Sequence, residues 1–186
     1  MRKKELSEII TKAYKDLRET HDVIAEKSFL ELVKSRRPGE YIPDRGEIHG
    51  KAWKDAFEES RHKYKSIAVD ALNKYGADIE EKITIAPTEE AVRAVQMFSM
   101  KPTDKIDPNS YANEIDSLMN KYGSNYLTYE TLRGLAVSHG IRDFKEHPLK
   151  TESDFTENLS HYIDSAFVEE PTTGSRVALF ETLEAE

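Results

Sequence analysis

The side chains best suited to chemistry in this 186-residue chain are six histidines (His21, His49, His62, His139, His147 and His161) and a large stock of carboxylates. A helical metal site of the metalloprotease kind places two imidazoles four residues apart on one face. No two of these histidines have that spacing. Glu47-Ile48-His49 and Glu146-His147 set a carboxylate beside an imidazole, but chance produces such neighbours in a chain that is 33% charged. Asp104, Asp107, Asn109 and Asp116 resemble a calcium loop only in composition. The alternating ligands, central glycine and terminal bidentate glutamate are missing, and Asp107 before Pro108 reads as a helix cap. There is no Walker loop, no GxGxxG turn after a strand and no GxSxG elbow. With no cysteine, thiolate zinc sites, cysteine nucleophiles and disulfides are excluded. The sequence therefore predicts a non-enzymatic protein with no catalytic residue, no metal and no cofactor.

Two regions have the residues to bind partners. The first is basic: Lys34, Arg36, Arg37, Arg45, Lys51 and Lys54, with Tyr41 and Trp53 nearby. Cations of this density can neutralise phosphates, and the aromatics can stack on unpaired bases. An isoelectric point of about 5.4 disfavours nucleic acid as the main partner. The same region 34–54 suits an acidic protein segment, including the tail of another copy. The second region is acidic. Residues 1–75 hold 17 Lys and Arg against 14 Asp and Glu, residues 76–150 hold 9 against 12, and residues 151–186 hold 1 against 9. The last segment thus equals the net charge of the whole chain, −8. Candidate partner-binding residues are Arg36, Arg37, Tyr41, Arg45, Lys51 and Lys54 on the basic side, and Glu169, Glu170, Phe180 and Glu181 on the acidic side. Solubility is the simpler explanation of the same acidity.

These residues must be positioned by helices. Gly (8) and Pro (7) are too few for the turns of an all-β fold. Leu6, Ile10, Ala13, Leu17 and Ile24 form one helical stripe that Thr20 and Lys27 weaken, over about three heptads, the lower limit for a coiled coil. Arg36-Arg37-Pro38-Gly39 and Pro43 break it. Asp44 then caps a second long helix, with Glu47 as its capping-box partner. That helix has Ile48, Ala52, Trp53, Ala56, Phe57, Tyr64, Ile67, Ala68, Ala71, Leu72 and Tyr75 on its apolar face, and Gly76 stops it. Ile83-Thr84-Ile85 reads as a short extended link. Helices follow from Thr88 (Val92, Val95, Phe98), from Asp107 (Tyr111, Ile115, Leu118, Met119, Tyr122) to Gly123, and from near Asn125 or Thr128 (Leu132, Leu135, Ala136) to Gly140. A sixth runs from Ser153 to about Phe167. The run Val177-Ala178-Leu179-Phe180 is expected as a strand on a neighbour or a short peptide in an extended acidic tail.

The expected fold is mainly α: a long N-terminal helical hairpin (1–76), a compact helical module (86–141), and an acidic helix with an extended tail (151–186). The opening MRKKELSEIITKAYKDL has no apolar core of signal-peptide length, and no 18-residue apolar run suits a membrane span.

The stretch containing Met97-Phe98, Ile115-Leu118, Lys121-Tyr122, Asn125 and Leu132-Arg133-Gly134-Leu135 resembles a module in small helical proteins of Gram-positive bacteriophages and prophages. Proteins of this look also carry a charged helical region N-terminally, as residues 2–75 do. Residues 102–107 and the acidic tail depart from the pattern. The resemblance implies a phage or prophage source, no catalytic residues, and a location in the bacterial cytoplasm or the virion. The leading expectation is a phage accessory protein that acts through protein–protein interaction, in virion assembly or structure, with homo-oligomerisation through the N-terminal helices. The alternatives are an inhibitor of a host defence or nucleic-acid enzyme that uses an acidic surface, and a nucleic-acid-binding module built on 34–54.

Overall fold

The computed structural model describes residues 1–37, 51–101, 107–141, 144–168 and 172–184, with residues 51–53 and 108 described as helical backbone alone. The described residues form seven helices and no strand: α1 (Lys3–Ser35), α2 (Lys51–Ile83), α3 (Glu89–Ser99), α4 (Pro108–Tyr122), α5 (Tyr126–Ser138), α6 (Pro148–Ala166) and α7 (Thr173–Glu184). The mainly α class follows, with a long N-terminal helix. Among the described residues no helix is long and apolar enough to cross a membrane. The chain divides into two compact units, one of Met1–Tyr75 with Thr156–Glu186, the other of Gly76–Phe155. The expected module at 86–141 lies inside the second unit. Residues 156–186 group with the N-terminal helices and form no domain of their own.

In the first unit the predicted stripe of α1 is fully buried at Leu6, Ile10 and Leu17 and nearly so at Ala13, with Tyr14 added to it. From Ile24 onward the side chains are half-buried or exposed, which is where Thr20 and Lys27 interrupt the stripe. Helix α2 buries Phe57, Ala68, Ala71, Leu72 and Tyr75, while Ile67 is exposed. The two long helices meet through Thr20 Oγ1 and Tyr64 OH (3.3 Å) and through the His21 and Phe57 rings, 4.6 Å apart. The loop at 38–50, with its predicted Asp44–Glu47 capping box, lies outside the described residues.

Two expectations are corrected. Gly76 does not stop α2, which continues to Ile83. A glycine inside a helix costs about 1 kcal/mol relative to alanine, and burial of Ile79 one turn later offsets that cost. The expected extended tail is instead helix α7. Its four adjacent apolar residues show no helical period, but the Thr172 hydroxyl accepts from Ser175 N–H at 3.0 Å and caps its first turn. Leu179 and Leu183, one turn apart, are then buried. Helix α7 packs along α1, where Ser7 Oγ donates to the Leu183 carbonyl (3.2 Å). Tyr14 takes the Phe167 and Phe180 rings edge-on at 5.6 and 5.4 Å.

In the second unit α3, α4 and α5 pack on one another around Phe98, Tyr111, Ile115 and Ala136. The predicted caps form locally: Thr88 Oγ1 accepts from Ala91 N–H, Asp107 from Ser110 N–H and Asn125 from Thr128 N–H. Asp107 therefore acts as a cap, and Asp104 lies outside the described residues. Helix α6 starts at Pro148, five residues before the expected Ser153. Gly140 has φ +80°, the left-handed conformation that ends α5 and favours glycine. At Gly123 a Cβ would press into the Met119 carbonyl oxygen and stand 3.2 Å from the Tyr129 ring.

At Gly76 and Gly134, both within helices, a Cβ would meet nothing within 4 Å. Gly76→Ala and Gly134→Ala should each stabilise the protein by about 0.5–1 kcal/mol, through lower unfolded-chain entropy. Gly123→Ala should destabilise it. Urea unfolding midpoints check all three, and a fall for Gly76→Ala would contradict the open environment.

Candidate functional site

The predicted partner-binding residues do not form one described site. Arg36 ends α1, its N–H bonded to the Val33 carbonyl at 3.4 Å, and is half-buried; Arg37 and Lys54 are exposed. Lys51 opens α2, with only its backbone described. Tyr41, Arg45, Glu169 and Glu170 lie outside the described residues. Glu181 is exposed on α7, whereas the Phe180 ring is engaged with Tyr14 inside the first unit. His139 packs edge-on to Tyr111 at 4.3 Å. Among the described residues no group of three His, Asp or Glu side chains is placed to hold a metal ion.

The second unit contains a cleft of about 530 Å³ whose wall includes Lys82, Ile85, Thr88, Lys121, Asn125, His147 and Leu149. Sequence reasoning did not single out this site, although each of its parts has a local cause. Thr88, Asn125 and His147 stand immediately before α3, α5 and α6, so three helix N-termini open on the same space. The positive end of a helix dipole favours negative charge there, while the N–H groups of Ala91, Thr128 and Leu149 are bonded to their own caps. Helices α2 and α4 also end at this cleft, and each has a lysine in its last turn, Lys82 and Lys121. Those cations oppose the negative dipole ends. Asn125 ties two walls together, donating through Nδ2 to the Ile85 carbonyl at 2.8 Å.

Lys121 Nζ donates to Glu90 Oε1 at 2.9 Å, and Tyr122 OH donates to the same oxygen at 2.7 Å. The Tyr122 hydroxyl, then Lys121, holds the Glu90 carboxyl below its ordinary range. The same trio raises Lys121, with Tyr122 first and Glu90 next. Glu90 is not part of the cleft wall.

His147 is only 6% exposed and lies edge-on to Tyr126 and Tyr129, at 5.3 and 5.1 Å. Its Nδ1 accepts from Leu149 N–H at 3.1 Å, and its carbonyl accepts from Lys150 N–H at 2.8 Å, so it caps α6. An accepting Nδ1 places the ring proton on Nε2. The signal for this cap is His147-Pro148, which repeats the cap-then-proline order of Asp107-Pro108.

Burial raises the phenols of Tyr14, Tyr111 and Tyr129; nearby Glu114 adds to the effect at Tyr111 and Glu130 at Tyr129. A raised phenol favours the neutral, folded form. Its stabilisation is complete below the unfolded value of about 10 and is lost as pH climbs through the folded one. Titration of tyrosinate absorbance should show Tyr14, Tyr111 and Tyr129 ionising above the ordinary phenol value of about 10, followed by alkaline unfolding. A single transition at the ordinary phenol value would contradict this.

No family model, curated protein or solved structure matches this sequence.

Proposed function

We propose that this is a non-enzymatic accessory protein, of phage or prophage source, that works through protein–protein contact and self-associates through α1. The observation that carries the reading is the spacing of exposed apolar side chains on that helix. Val23 and Leu30, seven residues apart, are 49% and 46% exposed, and Ile9, two heptads before Val23 with Asp16 between them, shares their heptad position at 36%. A heptad line of apolar residues is what a second helix packs against. The unit's own core already takes the neighbouring stripe of Leu6, Ile10 and Leu17, leaving this line for another copy. The phage source, and with it a role in virion assembly, rests on the resemblance of residues 97–141.

Light scattering coupled to size-exclusion chromatography tests the reading. The intact chain should form an oligomer that weakens on dilution, and Val23→Glu with Leu30→Glu should return it to monomer without loss of helical circular dichroism. A strict monomer at high concentration, or an oligomer indifferent to both substitutions, would sink it.

A further inference from the structure

We propose that the second copy packs on α1 in parallel and in register, an inference that rests on the self-association proposed above and adds its orientation. The charged residues flanking the Val23–Leu30 line are sorted by sign. At 3.6 residues per turn, Glu19, Asp22 and Glu26 fall on one side of the line, and Lys27 and Lys34 on the other. All of them are exposed, and none is ion-paired among the described residues. Glu19, Asp22 and Glu26 stand three and four residues apart, a spacing at which like charges destabilise a helix. An opposing row of lysines relieves that repulsion.

Symmetry decides which side meets which. In a parallel pair the two-fold axis runs along the helices, so the acidic side of each copy meets the basic side of the other. Asp22 and the other copy's Lys27 then take the g and e positions that pair across a parallel seam with Val23 and Leu30 at a, and Glu26 lies level with the same lysine. The arrangement occurs twice. In an antiparallel pair the axis is perpendicular to the helices and sets like side against like side, acids on acids and lysines on lysines. Asp16 interrupts the line between Ile9 and Val23, and in register two such carboxylates would face each other, which places the contact over residues 19–34. Glu31 is the acid on the lysine side, about a quarter turn from the line.

Cross-linking of the full chain tests the orientation, because the protein has no cysteine of its own. A disulfide needs Cα atoms within about 7 Å. A parallel pair in register brings each residue beside its own equivalent, so Val23→Cys and Leu30→Cys should each cross-link with themselves on mild oxidation. An antiparallel pair allows this for one of them at most, since the two positions are about 10 Å apart along the helix. Lys27→Glu should weaken the dimer about tenfold in light scattering on dilution, since attraction is exchanged for repulsion at two symmetric places. Adding Asp22→Lys and Glu26→Lys to it should restore the affinity. A chain that never oligomerises would defeat the self-association and this orientation together. An oligomer in which fewer than both cysteine variants cross-link with themselves would overturn the orientation alone. So would one that Lys27→Glu leaves unchanged or tightens, as lysines set against lysines would require.

Discussion

Deleting residues 172–186 should unfold the first unit, where an acidic tail serving only solubility would have been removed without harm. Leu179 is fully buried and Leu183 nearly so, and the Phe180 ring lies edge-on to Tyr14. Truncating a single buried leucine to alanine costs about 2–5 kcal/mol. Removing two leucines and an aromatic contact together should cost on the order of 5 kcal/mol, comparable with the roughly 5–15 kcal/mol that holds a domain together. Urea unfolding followed by circular dichroism measures the loss, and Leu179→Ala alone should show about 2–5 kcal/mol of it. A truncated chain with the midpoint of the intact one would show that α7 contributes nothing to the core. The result matters for function as well. An acidic surface directed at a phosphate-binding channel cannot be tested by cutting the C-terminal segment away, because the cut removes core. Glu181→Gln with Glu184→Gln alters the charge at exposed positions, where substitutions usually stay within about 0.5 kcal/mol.

The second large effect is expected at Phe98. Its side chain is 2% exposed, and its ring lies 4.5 Å from that of Tyr111 at 43°. Leu118, Met119, Leu135, Ile141 and Phe144 pack against the cluster it belongs to. Phe98→Ala should destabilise the second unit by about 3–5 kcal/mol, the range for large aromatics removed from a core. Met97, the preceding residue on α3, is 72% exposed, so Met97→Ala should stay within about 0.5 kcal/mol. Near-ultraviolet circular dichroism of the tyrosines reports on the pair. Equal effects of the two substitutions would mean that α3 is not anchored by the face described.

Local signals carry much of this fold. Thr88, Asp107 and Asn125 each bond an N–H three residues onward, which requires nothing beyond the few residues between cap and helix. The stripes at Leu6–Leu17 and Phe57–Tyr75 were legible for a related reason, since helical periodicity marks a buried face wherever its partner comes from. Gly76 shows where local reasoning fails. Glycine ends helices often, but the preference is about 1 kcal/mol, and one well-buried residue beyond it, Ile79, outweighs that. Helix α7 failed differently. Val177, Ala178, Leu179 and Phe180 are consecutive, so the face that packs is chosen by α1 and not by any period in the segment.

By itself the sequence determined the helical class, the caps of α3, α4 and α5 and the absence of cysteine chemistry, because composition and short-range hydrogen bonding suffice for these. Only the tertiary structure decided that Thr88, Asn125 and His147, spread over some sixty residues of chain, border one cleft. It also decided that the C-terminal segment is core. Both depend on contacts between residues far apart in the chain, whose free energy comes from burial that no single segment can supply.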